Sequence, residues 1–411
     1  MIALVIRCYQ ETIKIVNLTK LDIEQALTNQ EFELHYQPKV SFLRGEISGA
    51  ECLIRWNHPE HGFVSPELFI PLAEEADLIT AITAQIVSMA IDAVVELKAE
   101  GFEGSLATNT SPLDFQTDTI LSILKQALDQ KKITPRDLQI ELTETATLDN
   151  QEQIMSRLGE VTDLGFKLVM DDFGTGYSSI DLLSQLPFSA LKVDQGVIGR
   201  MAGSTKNLNI VNMIINMART LRMDVVAEGI EDRSAYQFLA YAGCLEAQGY
   251  WISKPLPLSE FKALINKRPR YPSSHSGMIY HAHMNNVYFR KSVLDAVLFS
   301  NSNIDLDMAS VADPDIQFEP RKTRLGQWYF GIGQELSDRP SFQAIEEPHR
   351  RMHELGAELL KQKFSNSHEQ ILAFNESFEA VNKCLHVLEA ELMAEERARL
   401  LEESNSGSFA A

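Results

Sequence analysis

Acidic side chains recur at one kind of place in this chain, at or just beyond the end of short β-branched runs. Glu51 lies near the end of Ile47–Leu53, and Asn109 ends Ser105–Asn109. Glu141 and Glu144 follow Leu138–Ile140, Asp171 and Asp172 follow Lys167–Met170, and Glu228 follows Asp224–Ala227. If those runs are parallel strands of one barrel, chain topology gathers the carboxylates and the amide at a single mouth. Like charges so close repel by several kcal/mol unless cations stand between them. Oxygen donors without neighbouring Cys or His favour Mg²⁺ or Mn²⁺ over zinc. Lys192, near the end of Ala190–Val193, adds a cation to the same rim. A lysine there could orient or deprotonate a metal-bound water, or stabilise phosphorane charge.

The elements that must position these groups form an α/β pattern. Candidate strands are Phe32–Gln37, Ile47–Leu53, Ser105–Asn109, Leu138–Glu141, Lys167–Asp171, Ala190–Val193, Asp224–Glu228 and Ala247–Trp251. Helix-length segments such as Ile82–Gly101, Thr119–Gln130 and Asn207–Leu221 lie between most of them. The alternation predicts a TIM-like (β/α)8 barrel over residues 19–266, after an N-terminal extension, 1–18. A Pro-, Ser- and charge-rich linker, 267–279, follows. Residues 280–395 then carry helical patterns at Tyr280–Leu298, Leu325–Glu335, Phe342–Lys361 and Glu369–Leu401 with no strand signal, which predicts an all-α four-helix bundle. Residues 396–411 form a frayed tail.

Composition narrows the class of partner. The formal net charge of −20 over 411 residues argues against a nucleic-acid polymer, which needs clustered Lys and Arg. A small anionic nucleotide held by a few cations and metal remains compatible with it. Cysteines 8, 52, 244 and 384 are scattered, with no CxxC pair, as suits reduced thiols. No uninterrupted apolar run of about 18 residues occurs, and no secretory signal pattern opens the chain. A cytoplasmic protein without membrane insertion is the expectation.

With these residues in place, the stretch 19–266 resembles the EAL family of cyclic di-GMP phosphodiesterases. The motifs are Glu51-Cys52-Leu53 with Ile54-Arg55-Trp56, Asn109-Thr110-Ser111, Glu141-Leu142-Thr143-Glu144 and the loop Asp171-Asp-Phe-Gly-Thr-Gly-Tyr-Ser-Ser179. Leu191-Lys192-Val193-Asp194, Ala227-Glu228-Gly229-Ile230-Glu231 and Gln248-Gly249-Tyr250 complete the set. The resemblance implies Glu51, Asn109, Glu141, Asp171, Asp172 and Glu228 as ligands of two Mg²⁺ or Mn²⁺ ions. Lys192 is implied as base or water-positioner with Gln248 beside it, Glu144 and Glu231 as supports of the loop, and Gln37 and Arg55 as ligand contacts. The implied reaction is in-line attack of a metal-activated water on one phosphodiester of cyclic di-GMP, opening the ring to pGpG. Cys52 replaces the family's alanine; it reads as inert packing or as an oxidation-sensitive thiol. A catalytically silent cyclic di-GMP receptor and a zinc-responsive signalling protein are the competing readings. No GGDEF-type cyclase signature occurs.

The C-terminal segment Arg324-Leu-Gly-Gln-Trp-Tyr-Phe-Gly331, with Pro348-His349-Arg-Arg-Met-His353, resembles the chemoreceptor zinc-binding domain. That resemblance implies a zinc site on His349 and His353 with a further His and a Cys. Thr323 stands where the Cys belongs and Asn286 where the His belongs, with His283 about one turn earlier as the available substitute. Zinc affinity is therefore expected to be weak or absent, and the module to serve homodimerisation or signal relay. Cys384 and His386 read as structural residues of the last helix.

Overall fold

Only the turn Phe42–Gly45 separates strand β1 (Phe32–Ser41) from β2 (Glu46–His58), so the two form a hairpin. A parallel neighbour would need a crossover of a dozen residues or more. The computed structural model describes residues 18–143, 151–174, 183, 187–221, 223–273, 275–300, 318–361 and 368–405. In it β1 runs antiparallel to both its barrel neighbours, β2 and β9 (Glu246–Gln248). Parallel pairing carries the sheet from β2 through β4 (Ser105–Thr110), β5 (Leu138–Thr143), β6 (Lys167–Phe173), β7 (Ala190–Val193) and β8 (Asp224–Ala227) to β9. The β1–β2 pairing closes the ring, giving an eight-stranded mixed barrel. The expected all-parallel (β/α)8 order is thus corrected at β1. Two short strands, β3 (Gly62–Val64) and β10 (Leu256–Pro257), pair onto β2 and β1.

Helices alternate with these strands where apolar residues recur at three- and four-residue spacing. They are α1 (Lys20–Asn29), α2 (Pro66–Glu75), α3 (Ile79–Ala99), α4 (Thr119–Asp129), α5 (Gln151–Asp163), α6 (Gln195–Gly199), α7 (Thr205–Thr220), α8 (Arg233–Ala242) and α9 (Leu258–Asn266). Thr19 and Asp22 form a capping box that starts α1, and the Ser204 side chain accepts from Asn207 N to start α7. Helix α3 is long and apolar enough, by length and composition, to cross a membrane. Its Ile82, Ile86, Val87, Ala90, Ile91, Val94 and Leu97 are buried, and it packs on α4 and β4. That burial is the pattern of a core helix, whose apolar face needs a protein partner.

The chain divides into two compact units, the first reaching Tyr271 and the second taking Pro272 onward with the stretches Phe42–Gly45 and Gln237–Leu245. The second unit contains α10 (Ser276–Ser300), α11 (Arg324–Tyr329), α12 (Pro340–Gln343), α13 (Glu346–Lys361) and α14 (His368–Asn405). Among the described residues it is therefore three long helices with short helical segments between. The helix expected over Leu325–Glu335 breaks at Gly331 into α11 and a 3-10 turn, Ile332–Leu336. Gly331 has no room for a side chain, since a Cβ there would lie 2.5 Å from the Gln327 carbonyl oxygen. Trp328, Tyr329, Phe342, Phe374, Phe378 and Leu385 form much of its core.

Candidate active site

Side chains alternate across a strand, and the alternation sorts the site. On β5, Ile140 and Leu142 face the covering layer while Glu141 between them faces inward, fully buried. Pairing sets the levels: Asn109 lies beside Glu141, Thr143 beside Asp171, and Glu51 beside Gln37. Because β2 is long, Glu51 sits mid-strand rather than at its end, level with Ala107 in the middle of its neighbour β4.

Lys192 occupies the centre of this group with only 1% of its side chain exposed. Its Nζ donates to Glu141 Oε2 at 2.7 Å and Glu51 Oε2 at 3.1 Å. It also pairs with Asp171 Oδ1 at 2.9 Å and Glu228 Oε1 at 2.8 Å. Gln248 Nε2 donates to Glu51 Oε2 at 2.6 Å and Gln37 Oε1 at 3.0 Å, and Asn109 Nδ2 donates to Glu51 Oε1 at 2.7 Å. Asp172 holds a left-handed φ of +55°, and its N–H donates to Asp171 Oδ1 at 2.9 Å. A non-glycine residue in that region carries strain that surrounding structure must hold. The turn after Glu228 needs glycine: Gly229 has φ +62°, and a Cβ there would lie 2.1 Å from Gln195 Cβ.

The electrostatics follow from crowding. Burial pushes Glu141 up to about 7, with Glu51 and Asp171 adding to the rise and Lys192 opposing it. Burial and then Asp171 push Asp172 up to about 6, and burial, with Asp171 and Glu51, drives Glu228 well above the carboxylate range. Burial acts on Glu51 too, but Lys192 and the hydrogen bonds from Gln248 and Asn109 outweigh it and leave its carboxyl below the usual range. Burial would discharge Lys192, yet Asp171, Glu141, Glu228 and Glu51 hold its ammonium far above its ordinary value. Negative charge exceeds the local cations, so either protons or metal must make up the difference.

The residues fit metal. Glu51, Glu141 and Asp171 each present an oxygen within 4.8 Å of the others, and so do Asp171, Asp172 and Glu228. The donors are all oxygen, which suits hard divalent cations. Glu141 Oε1 accepts no hydrogen bond although buried. The Lys39 ammonium lies 3.8 Å from it. Lys39 was not singled out from sequence: it is buried and donates to Gln139 Oε1 at 3.0 Å. Its parity with Gln37 on β1 was the available signal.

A cleft of about 780 Å³ opens over this group, lined by Gln37, Arg55, Asp194, Glu231 and Tyr250 besides Glu51, Asp171, Asp172, Lys192 and Glu228. Volumes of this order hold drug-sized ligands. Glu231 is exposed at its mouth, and Glu144 lies outside the described residues, as do residues 175–182 of the loop beyond Gly174. Cys52 is buried, and burial with the charges of Glu51 and Glu141 pushes its thiol up, so it packs as an un-ionised side chain.

In the second unit His349 and His353 come together, ring centroids 4.7 Å apart. Their surroundings do not fit zinc. The Thr323 hydroxyl donates to Pro320 O at 2.8 Å and lies 3.3 Å from His349 Nε2. With its one proton spent, that hydroxyl can only accept, so Nε2–H is the donor and offers no lone pair to a metal. Burial lowers the His349 imidazole to about 4, keeping it neutral. The ring of Phe289 lies 4.1 Å from that of His353, and Asn286, one turn earlier, is buried with its Nδ2 unpartnered. His283 does not join them; it packs against His386 on α14, ring centroids 4.1 Å apart.

Comparison with known proteins finds two families along the chain. Residues 20–255 match the EAL domain family and residues 291–360 the chemoreceptor zinc-binding domain family. The bifunctional diguanylate cyclase/cyclic di-GMP phosphodiesterase MucR of Pseudomonas aeruginosa is 35% identical over 245 residues, 59% of this chain and 36% of that protein. The cyclic di-GMP phosphodiesterase PdeR of Escherichia coli is 33% identical over 241 residues, again 59% and 36%. The chain thus spans about a third of the length of these curated relatives. The solved PaMucR phosphodiesterase in complex with c-di-GMP superposes with a TM-score of 0.54 at 35% identity, covering 58% of this chain and 98% of that one. Motifs, barrel and family match converge on one statement: the chain belongs to the EAL-domain family and carries a domain of the chemoreceptor zinc-binding type after the barrel.

Proposed function

We propose that this chain hydrolyses cyclic di-GMP to linear pGpG. The observation that carries the reading is the convergence of Glu51, Glu141, Asp171 and Glu228 on Lys192, which itself lines one open cleft. Glu51, Asn109, Glu141, Asp171, Asp172 and Glu228 would hold two divalent cations, Mg²⁺ or Mn²⁺. When bound, such ions supply an activated water and polarise the phosphoryl oxygen. The protein's own groups do the rest. Lys192 holds an ammonium beside the reacting phosphate, where its donor orients the attacking water and offsets charge developing on phosphorus. Gln248 fixes Glu51 and spans to Gln37, which keeps both ligand and substrate contact in register. Arg55 offers a planar fork to the phosphate, and Tyr250 an exposed ring on which a guanine can stack. Water adds to phosphorus, the bond to one 3′ oxygen breaks, and the proton passes to that leaving oxygen.

Residues 19–266 carry this activity in the proposal, with Glu231 and Glu144 supporting the loop after Gly174. Residues 280–395 serve regulation and homodimerisation, which light scattering on the purified chain checks. The activity is tested by incubating protein with cyclic di-GMP and Mg²⁺ or Mn²⁺, then separating products. Formation of pGpG, abolished by EDTA, is expected; tight binding without turnover would make the chain a receptor.

A further inference from the structure

One group of metal-ligating side chains lies apart from the His349–His353 pair. His283 on α10 and His386 and Glu389 on α14 each present one ligand atom within 4.8 Å of the others. The imidazole rings lie 4.1 Å apart with planes inclined by 34°, and Glu389 Oε2 is 3.6 Å from His386 Nδ1. Asn382, His386 and Glu389 follow one another at four- and three-residue spacing, so one face of α14 carries all three.

The protonation of His283 can be worked out from its neighbours. Its Nδ1 lies 3.2 Å from Asn382 Oδ1. An amide oxygen only accepts, so Nδ1 carries the proton and Nε2 keeps its lone pair. That Nε2 is buried and has no hydrogen-bond partner. Leaving a buried acceptor unsatisfied is costly, so something should receive that lone pair. Metal-binding imidazoles are commonly oriented in this way, with the far ring nitrogen donating to a fixed oxygen.

We propose that His283 Nε2, His386 and Glu389 bind a borderline transition-metal ion, zinc foremost, which ties α10 to α14. Two imidazoles and a carboxylate form a three-ligand set with one position left for water. Imidazole donors exclude Mg²⁺ and Ca²⁺ as preferred occupants. Access is open, since the His386 side chain is 69% exposed and borders a groove of about 460 Å³ on α14. Asn382 acts as the positioning residue that selects the His283 tautomer. The site uses none of Asn286, Thr323, His349 or His353, and it stands independently of the hydrolysis proposed above.

The test is zinc binding by the full-length, metal-stripped chain, with saturating Mg²⁺ present to fill the oxygen sites of the barrel. Zinc retained after desalting is counted per chain, and Co²⁺ is used in parallel for its visible absorption. One zinc per chain is expected to disappear in His386→Ala, whose exposed side chain can be truncated without disturbing the core. Asn382→Ala should weaken binding about 10- to 100-fold, and Asn382→Asp, which keeps an acceptor at that place, should restore it. An unchanged zinc count in His386→Ala would overturn the proposal, as would no zinc uptake by the parent chain. Loss of zinc in His353→Gln with retention in His386→Ala would also overturn it, placing the metal on the family's own pair.

Discussion

At the scale of single residues, the proposed chemistry and its pH response rest on Lys192 and the acids around it. Lys192→Met removes an ammonium that touches Glu51, Glu141, Asp171 and Glu228 together. Turnover of cyclic di-GMP should fall by at least about 10²-fold, as for loss of a donor aimed at developing charge. Lys192→Arg should not rescue it, because a planar guanidinium cannot reproduce a point ammonium in that packed position. Steady-state kcat in both variants checks this. The raised carboxyls give a second expectation. Glu141 at about 7 and Asp172 at about 6 lie above their unfolded values, so the metal-free native state binds more protons than the unfolded chain between those limits. The contribution of these two acids to the stability of the metal-free barrel should therefore fall as pH rises from about 4.5 through 7. Divalent cations replace those protons, so the rise in Tm on adding Mn²⁺ should be larger at about pH 8 than at about pH 5.5. Equal shifts at both pH values, read by calorimetry, would show that the carboxylates do not take the metal.

At the scale of elements, the loop leaving β8 carries Glu228 to the site and depends on Gly229. Gly229→Ala places a Cβ against Gln195 in a left-handed conformation and should destabilise the protein by about 1–3 kcal/mol. Because the displaced residue adjoins Glu228, kcat should fall together with Tm; loss of stability alone would mean that the loop does not position the acid. The same scale shows what could be read from residues in order. Carboxylates after β-branched runs were legible because strand ends of a barrel share one face. The direction of β1 was legible too, in the short gap between Gln37 and Ile47, which leaves no room for a crossover helix. The repeated strand–helix pattern elsewhere obscured it. Lys39 was missed because a lone lysine in a strand ordinarily faces water, and only the parity it shares with Gln37 turns it inward. The pairing of His283 with Asn382 and His386 spans about a hundred residues of chain, and no local pattern encodes such a contact.

At the scale of the whole molecule, the question is which part of the chain is sufficient for catalysis. Pairing of β1 with β2 closes the barrel, and the further lengths of β1 and β2 pair with β10 and β3, which belong to the same unit. Glu51, Asn109, Glu141, Asp171, Asp172, Lys192, Glu228 and Gln248 all belong to the first unit. The solved PaMucR phosphodiesterase, matched over 98% of its length, is itself little more than such a barrel. A fragment ending at residue 273 should accordingly fold and release pGpG with kcat within about tenfold of the full chain, about 1.4 kcal/mol of barrier. Retained turnover would place the chemistry wholly in the barrel and leave the helical unit to modulate it. A folded fragment that binds cyclic di-GMP without hydrolysing it would instead show that the helical unit is needed to hold the carboxylates in working order. Circular dichroism and product chromatography on the same sample separate that outcome from a simple failure to fold.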